Sequence, residues 1–293
     1  MSARGKLIFN AHRAATSIAN ALPEWSLPAV GRVAGRIGGW PQRDNRRMAA
    51  RHQKRASGRT DAKVVDEVFE YYGRYWLEML RLPHEVKSGT VMDHFEEVGY
   101  EENILAGLDR GKGVIVALPH LGGWEWAAGW MSNLGHEMLA VVERLEPPEL
   151  LEWFADQRVA YGLEVVPLGP DAMKRVVKAL RDNRIVCLVA DRDLAGDGVE
   201  VVFFGERTTL PGGPATLALR TGAALVPSAI YFAPGRDHFA LIRPPLPVER
   251  TGNLRDDITR ITQALAHEFE ALIRRAPEQW HLLQPNWPSD RTS

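Results

Sequence analysis

Residues 113–118 (GVIVAL) restrict the fold more than any other stretch of the chain. They form an apolar run without a charge, stopped by Pro119 and opening straight into His120-Leu121-Gly122-Gly123. A continuous apolar run bounded by Gly and Pro suits a strand covered on both faces, where a half-exposed strand would alternate. Residues 184–190 (RIVCLVA) and 224–232 repeat the pattern, and residues 138–142, 163–167, 199–204 and 238–241 read as further strands. Helical periods fall between and after them, at 124–134, 149–161, 171–183, 215–221 and 254–275. This alternation predicts an α/β fold: a mainly parallel central sheet flanked by helices, with right-handed crossovers. Upstream, residues 61–81 carry a helical apolar period that Pro83 is expected to end, and a second helix over 101–110 closes at Gly111.

Charge divides the chain where the strand pattern does not reach. The formal net charge is -1, yet residues 1–60 hold twelve Lys/Arg against two acids, Glu24 and Asp44. That is a surplus of ten positive charges, balanced by eleven negative ones in residues 61–293. Residues 1–60 also carry Leu7, Ile8, Phe9, Ile18, Leu22, Trp25, Leu27, Val30, Val33, Ile37 and Trp40. The expected organisation is a basic, apolar helical leader over 1–60 and a single α/β domain over 61–293. A basic leader suits an anionic surface, and its apolar and Trp content favours lipid over nucleic acid. A helical cap packed on the domain with a solvated basic face is the plainer reading, compatible with membrane contact. No apolar run approaches the ~20 residues of a membrane span, and the N-terminal stretch lacks a signal-peptide pattern. The single cysteine, Cys187, excludes an internal disulfide and suggests a reducing compartment.

Active sites of open parallel sheets gather at the carboxyl ends of strands, and His120 lies at such an end. Glu125 follows five residues later, in the first turn of the next helix. A neutral imidazole can take a proton from a hydroxyl near neutral pH, and a carboxylate on its other nitrogen would fix the tautomer. Main-chain N–H groups of Gly122 and Gly123 are candidates for holding a developing oxyanion. A turn histidine that only caps the helix is the competing reading. The other histidines show no metal-ligand spacing, so no metal is expected. Neither GxGxxG nor a P-loop is present.

The segments PHLGGWEWAAGW, VVERLEPPELLEWFADQR and ADRDLAGDGVEVVFFGERTTLPGGPATLALRTGAALVP, with YYGRYWLEMLRLP and PEQWHLL, extend the pattern over nearly the whole chain. Together they resemble the lysophospholipid-acyltransferase-like superfamily. Within it they resemble the lipid A biosynthesis (lauroyl/myristoyl) acyltransferases, in particular the actinobacterial phosphatidylinositol mannoside branch. The resemblance implies transfer of a long-chain acyl group from acyl-CoA, a co-substrate rather than a cofactor, to a hydroxyl of a membrane glycolipid. That hydroxyl would be on a mannose, at the cytoplasmic face of the plasma membrane. A lipid A precursor as acceptor, or a non-catalytic membrane-binding relative, is the alternative. By the same resemblance His120 is the general base, Glu125 orients it, and Asp191 works with the pair, with Glu200 competing for Asp191's acidic role. Glu143 and Arg158 would contact the acceptor or support His120, unless they form a structural ion pair, and Arg144 would lie at the same edge. Arg192 suits a phosphate or the CoA pyrophosphate. Cys187, within an apolar strand, reads as core.

Overall fold

The computed structural model describes residues 3–143 and 148–291. Four helices come first: α1 (Ala3–Ala21), α2 (Leu27–Gly39), α3 (Arg43–Ser57) and the long α4 (Ala62–Ser88). The short α5 (Thr90–Asp93), strand β1 (Phe95–Val98), a π-helical turn over Tyr100–Leu105 and α6 (Ala106–Asp109) lead into β2 (Val114–Leu118). Then come α7 (Trp124–Asn133), β3 (Met138–Val142), α8 (Pro148–Val159), β4 (Leu163–Pro167), α9 (Ala172–Arg181) and β5 (Ile185–Val189). The hairpin β6 (Val199–Phe203) and β7 (Glu206–Leu210), α10 (Gly213–Thr221), β8 (Ala224–Phe232), β9 (His238–Ile242) and α11 (Leu254–Arg275) complete the order.

Among the described residues seven strands form one sheet, in the order β1-β9-β8-β2-β5-β3-β4. All neighbours run parallel except β8 and β9. The apolar run of β2 is explained by what covers it. Val114, Val116 and Leu118 join a core with Trp126, Ala127, Trp130 and Met131 of α7. Ile115 and Ala117 point the other way, into a core with Val176 of α9, Ala218 of α10 and Leu265 of α11. The expected mainly parallel α/β sheet with helices on both faces is therefore the one observed.

Two strands escape the sequence pattern, and one expectation fails locally. β1 (FEEV) was not legible because it is an edge strand whose residues are nowhere fully buried. β7 (ERTTL) pairs only with β6 and carries no apolar run. Pro83 does not end α4, which continues to Ser88 and is capped by Gly89 in the left-handed region. The proline cannot donate to the carbonyl four residues back. The helix is held on both sides of that gap by buried Leu82 and by Glu85, which accepts from Arg81 at 2.5 Å and Arg236 at 2.9 Å.

The leader helices pack on α4. Arg81 of α4 donates to Ala19 O at 3.0 Å and Leu22 O at 2.8 Å, gripping the end of α1. Helix α2 lies against α4 at a glycine seam. A Cβ placed on Gly73 would lie 2.3 Å from Gly31 O and 2.4 Å from the Gly35 Cα. Replacing Gly73 with Val is expected to prise the two helices apart and cost about 1–3 kcal/mol. Urea unfolding measures it, and an unchanged midpoint would contradict the seam.

Candidate active site

Strand register builds the centre of the site. Leu118 of β2 faces Val189 of β5, and Ala190 N–H donates to Leu118 O at 2.9 Å. Two residues further on, His120 and Asp191 must therefore leave the sheet side by side. His120 Nδ1 lies 2.5 Å from Asp191 Oδ1, and its main-chain N–H donates to Asp191 Oδ2 at 2.9 Å. Trp280 Nε1 donates to the same Oδ2 at 2.9 Å, and Asn286 Nδ2 to Asp191 O at 2.9 Å. Asp191 is fully buried, with a relative exposure of 0%. Burial alone would raise its pKa. The charge of His120 and the donors on both oxygens outweigh burial and hold the carboxyl below its ordinary range.

This arrangement fixes a tautomer. A carboxylate only accepts, so Nδ1 carries the proton and the neutral ring keeps its lone pair on Nε2. The His120 side chain is 34% exposed, and Nε2 makes no hydrogen bond among the described residues. A histidine that merely caps a helix would not need a buried carboxylate behind its ring.

The structure corrects the expected role of Glu125. Its carboxylate does not reach His120. It accepts from Tyr75 Oη at 3.1 Å, from Arg158 at 2.5 and 3.3 Å, and from the hydroxyl of Tyr161. The first turn of α7 points Glu125 toward α4 and α8, where it is 2% exposed. Arg158 is thereby held in an ion pair rather than offered to an acceptor. Burial opposes the Arg158 charge, but Glu125 outweighs it and keeps the guanidinium above its usual range. Burial first, then Glu125, pushes the Tyr75 and Tyr161 hydroxyls well above theirs.

Gly122 and Gly123 are corrected as oxyanion donors. Gly122 N–H donates to Gln279 O at 3.0 Å and Gly123 N–H to Ile230 O at 3.1 Å, so both are spent on the fold. Gly122 instead serves close approach. Its φ is 58°, and a Cβ there would meet Ile230 O at 1.9 Å.

Glu143, Arg192 and Glu200 share a different place. They line a cleft of about 1140 Å³ at the carboxyl ends of β3, β4 and β5, which also takes in Ala190 and Arg192 on either side of Asp191. Arg192 lies 3.8 Å from Glu143. Glu200 is turned to Arg207 at 2.8 Å and is exposed, so it is not the second acid at His120; Asp191 occupies that place. Arg144 lies outside the described residues. Cys187 lines a small apolar cavity against α7, and burial pushes its thiol up to about 12. No group of three or more metal-ligating side chains occurs among the described residues.

Trp280, Asn286, Tyr75 and Tyr161 carried no site assignment from sequence. They approach from segments remote in the chain, and a buried Trp or Tyr at a helical or terminal position reads as core.

A parallel sheet presenting a His–Asp pair beside a roomy cleft, with the other imidazole nitrogen unbonded among the described residues, is an arrangement that can activate a hydroxyl for group transfer. Residues 29–289 match the family model of bacterial lipid A biosynthesis acyltransferases, and the chain belongs to that family. It is an acyltransferase. It is similar to phosphatidylinositol mannoside acyltransferases of Mycobacterium tuberculosis, 38% identical in strain H37Rv across 96% of this chain and 88% of the relative. The relative from Mycolicibacterium smegmatis is 36% identical across 95% and 89%.

The two carboxylates should separate experimentally. Asp191→Asn is expected to lower kcat by roughly 10³–10⁴-fold in a folded protein. Glu125→Ala, which strands a buried Arg158, should cost about 3–5 kcal/mol of stability. Kinetics paired with urea melts check both; a native kcat in Asp191→Asn, or an unchanged melt in Glu125→Ala, would reverse the assignment.

Proposed function

We propose that the protein transfers a long-chain, palmitoyl-like acyl group from acyl-CoA to a mannose hydroxyl of a phosphatidylinositol mannoside. The acceptor rests on the names of the relatives, which match almost the entire chain. The chemistry rests on one observation: the His120 imidazole is backed by Asp191 and open at Nε2. Nε2 takes the acceptor hydroxyl proton as the oxygen attacks the thioester carbonyl. The imidazolium, stabilised by Asp191, then returns the proton to the leaving thiolate as the C–S bond breaks. No acyl-enzyme is required, which agrees with the raised Cys187 thiol. In the adjoining cleft Arg192 and Arg255 offer partners for phosphate, while Glu143 and Glu200 can accept from sugar hydroxyls.

The acceptor is a lipid, and we place the protein peripherally on the anionic, cytoplasmic face of the plasma membrane. Net charge supports this less than apolar exposure does. Arg32, Arg36, Arg46, Arg55 and Arg59 of the leader are paired with carboxylates on α4 or near the C-terminus. Opposite its glycine seam, α2 leaves Val30, Val33 and Ile37 in solvent; its C-cap Trp40 is 79% exposed, and Trp25 just before the helix is 80% exposed. These recur at helical spacing on the face turned from α4, as an interfacial helix requires. No helix among the described residues is long and apolar enough to cross a membrane.

Incubation with palmitoyl-CoA and either a phosphatidylinositol mannoside or a lipid A precursor, followed by mass analysis, tests the acceptor. One added palmitoyl group on the mannoside alone is the expected product; acylation of the lipid A precursor alone would overturn the proposal. For the membrane, Ile37→Asp with Trp40→Ser should reduce flotation with anionic vesicles more than raised salt does. Flotation equal to the native protein would refute the apolar stripe.

A further inference from the structure

Residues 276–291 pass behind the catalytic pair, and only one of their side chains reaches the Asp191 carboxylate. Oδ1 faces His120 Nδ1 at 2.5 Å. Oδ2 accepts from the His120 main chain and from Trp280 Nε1, each at 2.9 Å. Trp280 is 1% exposed, and its Nε1–H is the one polar group an indole has. We propose that Trp280 is a positioning residue for acyl transfer: its indole N–H pins Oδ2 and so keeps Oδ1 turned to His120 Nδ1.

A carboxylate rotates in a broad, roughly two-fold well about its last bond. Two donors on Oδ2, arriving from different segments, stop that rotation. Without the indole N–H, one main-chain donor is left to do so. The His120 ring follows the carboxylate, because Nδ1···Oδ1 is the one hydrogen bond the ring makes among the described residues.

Trp280 is itself held from several sides. Its ring stacks on His52 of α3, with centroids 5.3 Å apart and planes at 28°, while Phe203 and Trp287 meet it edge-on. His52 is tied down in turn, with ring nitrogens 2.8 Å from Leu282 O and 3.2 Å from Asp290 Oδ2. Neighbouring residues secure the main chains: Asn286 Nδ2 holds Asp191 O at 2.9 Å, and His281 N–H holds His120 O at 3.0 Å. The His281 ring is pushed down to about 3 by burial and by His120, so it adds no charge beside the pair near neutral pH. The strap thus fixes backbone at several points and the reacting carboxylate at one.

Trp280→Phe keeps an aromatic ring and removes the donor. In the full chain, kcat is expected to fall about 10- to 100-fold, with KM within about two-fold of native, as for a group that acts in the transition state alone. The acid limb of the kcat/KM profile should move to lower pH, because a carboxylate free to turn from Nδ1 holds the imidazolium less tightly. The low-field proton resonance of His120 Nδ1–H, read in histidine-labelled protein, should shift or vanish. Native kcat, acid limb and resonance in a folded Trp280→Phe would overturn the proposal. Should that variant fail to fold, benzothienylalanine at position 280 exchanges only the N–H for sulfur, and the same outcomes decide. The inference rests on acyl transfer at His120. A native protein inert toward every donor and acceptor would refute that reading, while the resonance would still judge Trp280.

Discussion

A carboxylate buried to 0% exposure beside a half-open imidazole is the constraint that the surrounding structure serves. Removing such a charge from water costs several kcal/mol unless it is paired and hydrogen-bonded. Asp191 meets that condition through His120, through the His120 main chain and through Trp280. These three contacts depend on two different parts of the fold. The ring and the main-chain donor depend on the in-register pairing of β2 with β5. The indole depends on the segment after α11, which α3 holds down through His52 and Arg55. The His120–Asp191 geometry is thus over-determined by elements from both ends of the chain.

Glu125 shows how a second buried acid, five residues from His120, takes up structural work instead. Its oxygens collect Tyr75 from α4 and Arg158 and Tyr161 from α8 and the turn after it, fastening those elements to the first turn of α7. Helix α4 repeats the device further along. Arg74 and His238 converge on Glu78, and Arg81 and Arg236 on Glu85. Coulombic attraction from His238 and Arg74 keeps Glu78 below its ordinary range in spite of burial. Buried ion pairs of this kind are weak sources of net stability but strict about geometry, because losing one partner strands the other. Through them α4 fixes both the leader and the floor of the site.

What was legible from sequence follows from how local each signal is. Strands β2, β5 and β8 are buried on both faces, so their composition alone betrays them. Helix α11 was bounded correctly because its apolar period is long and Asn253 caps it. His120 stood out because Pro and Gly surround it at a strand exit. Asp191 was suggested through resemblance, and what places it at His120 is a strand pairing between residues about seventy apart in the chain, of which no local pattern speaks. The same distance hid the partners of Glu125, and proximity in sequence to His120 was misleading there. The glycine N–H groups failed as oxyanion donors for a related reason: their acceptors, Gln279 and Ile230, belong to segments folded in from far along the chain. The leader's charge was legible, but not that Arg32, Arg36, Arg46, Arg55 and Arg59 are answered by carboxylates of the body.

The account turns on which acid holds the base. The ring nitrogen shifts of His120 in ¹⁵N-labelled protein, assigned by comparison with His120→Gln, read this directly. Pairing with Asp191 predicts that the neutral ring carries its proton on Nδ1 and a bare lone pair on Nε2. A neutral His120 protonated on Nε2, with Nδ1 bare, would contradict the Asp191 pairing and with it the direction from which the acceptor hydroxyl must approach.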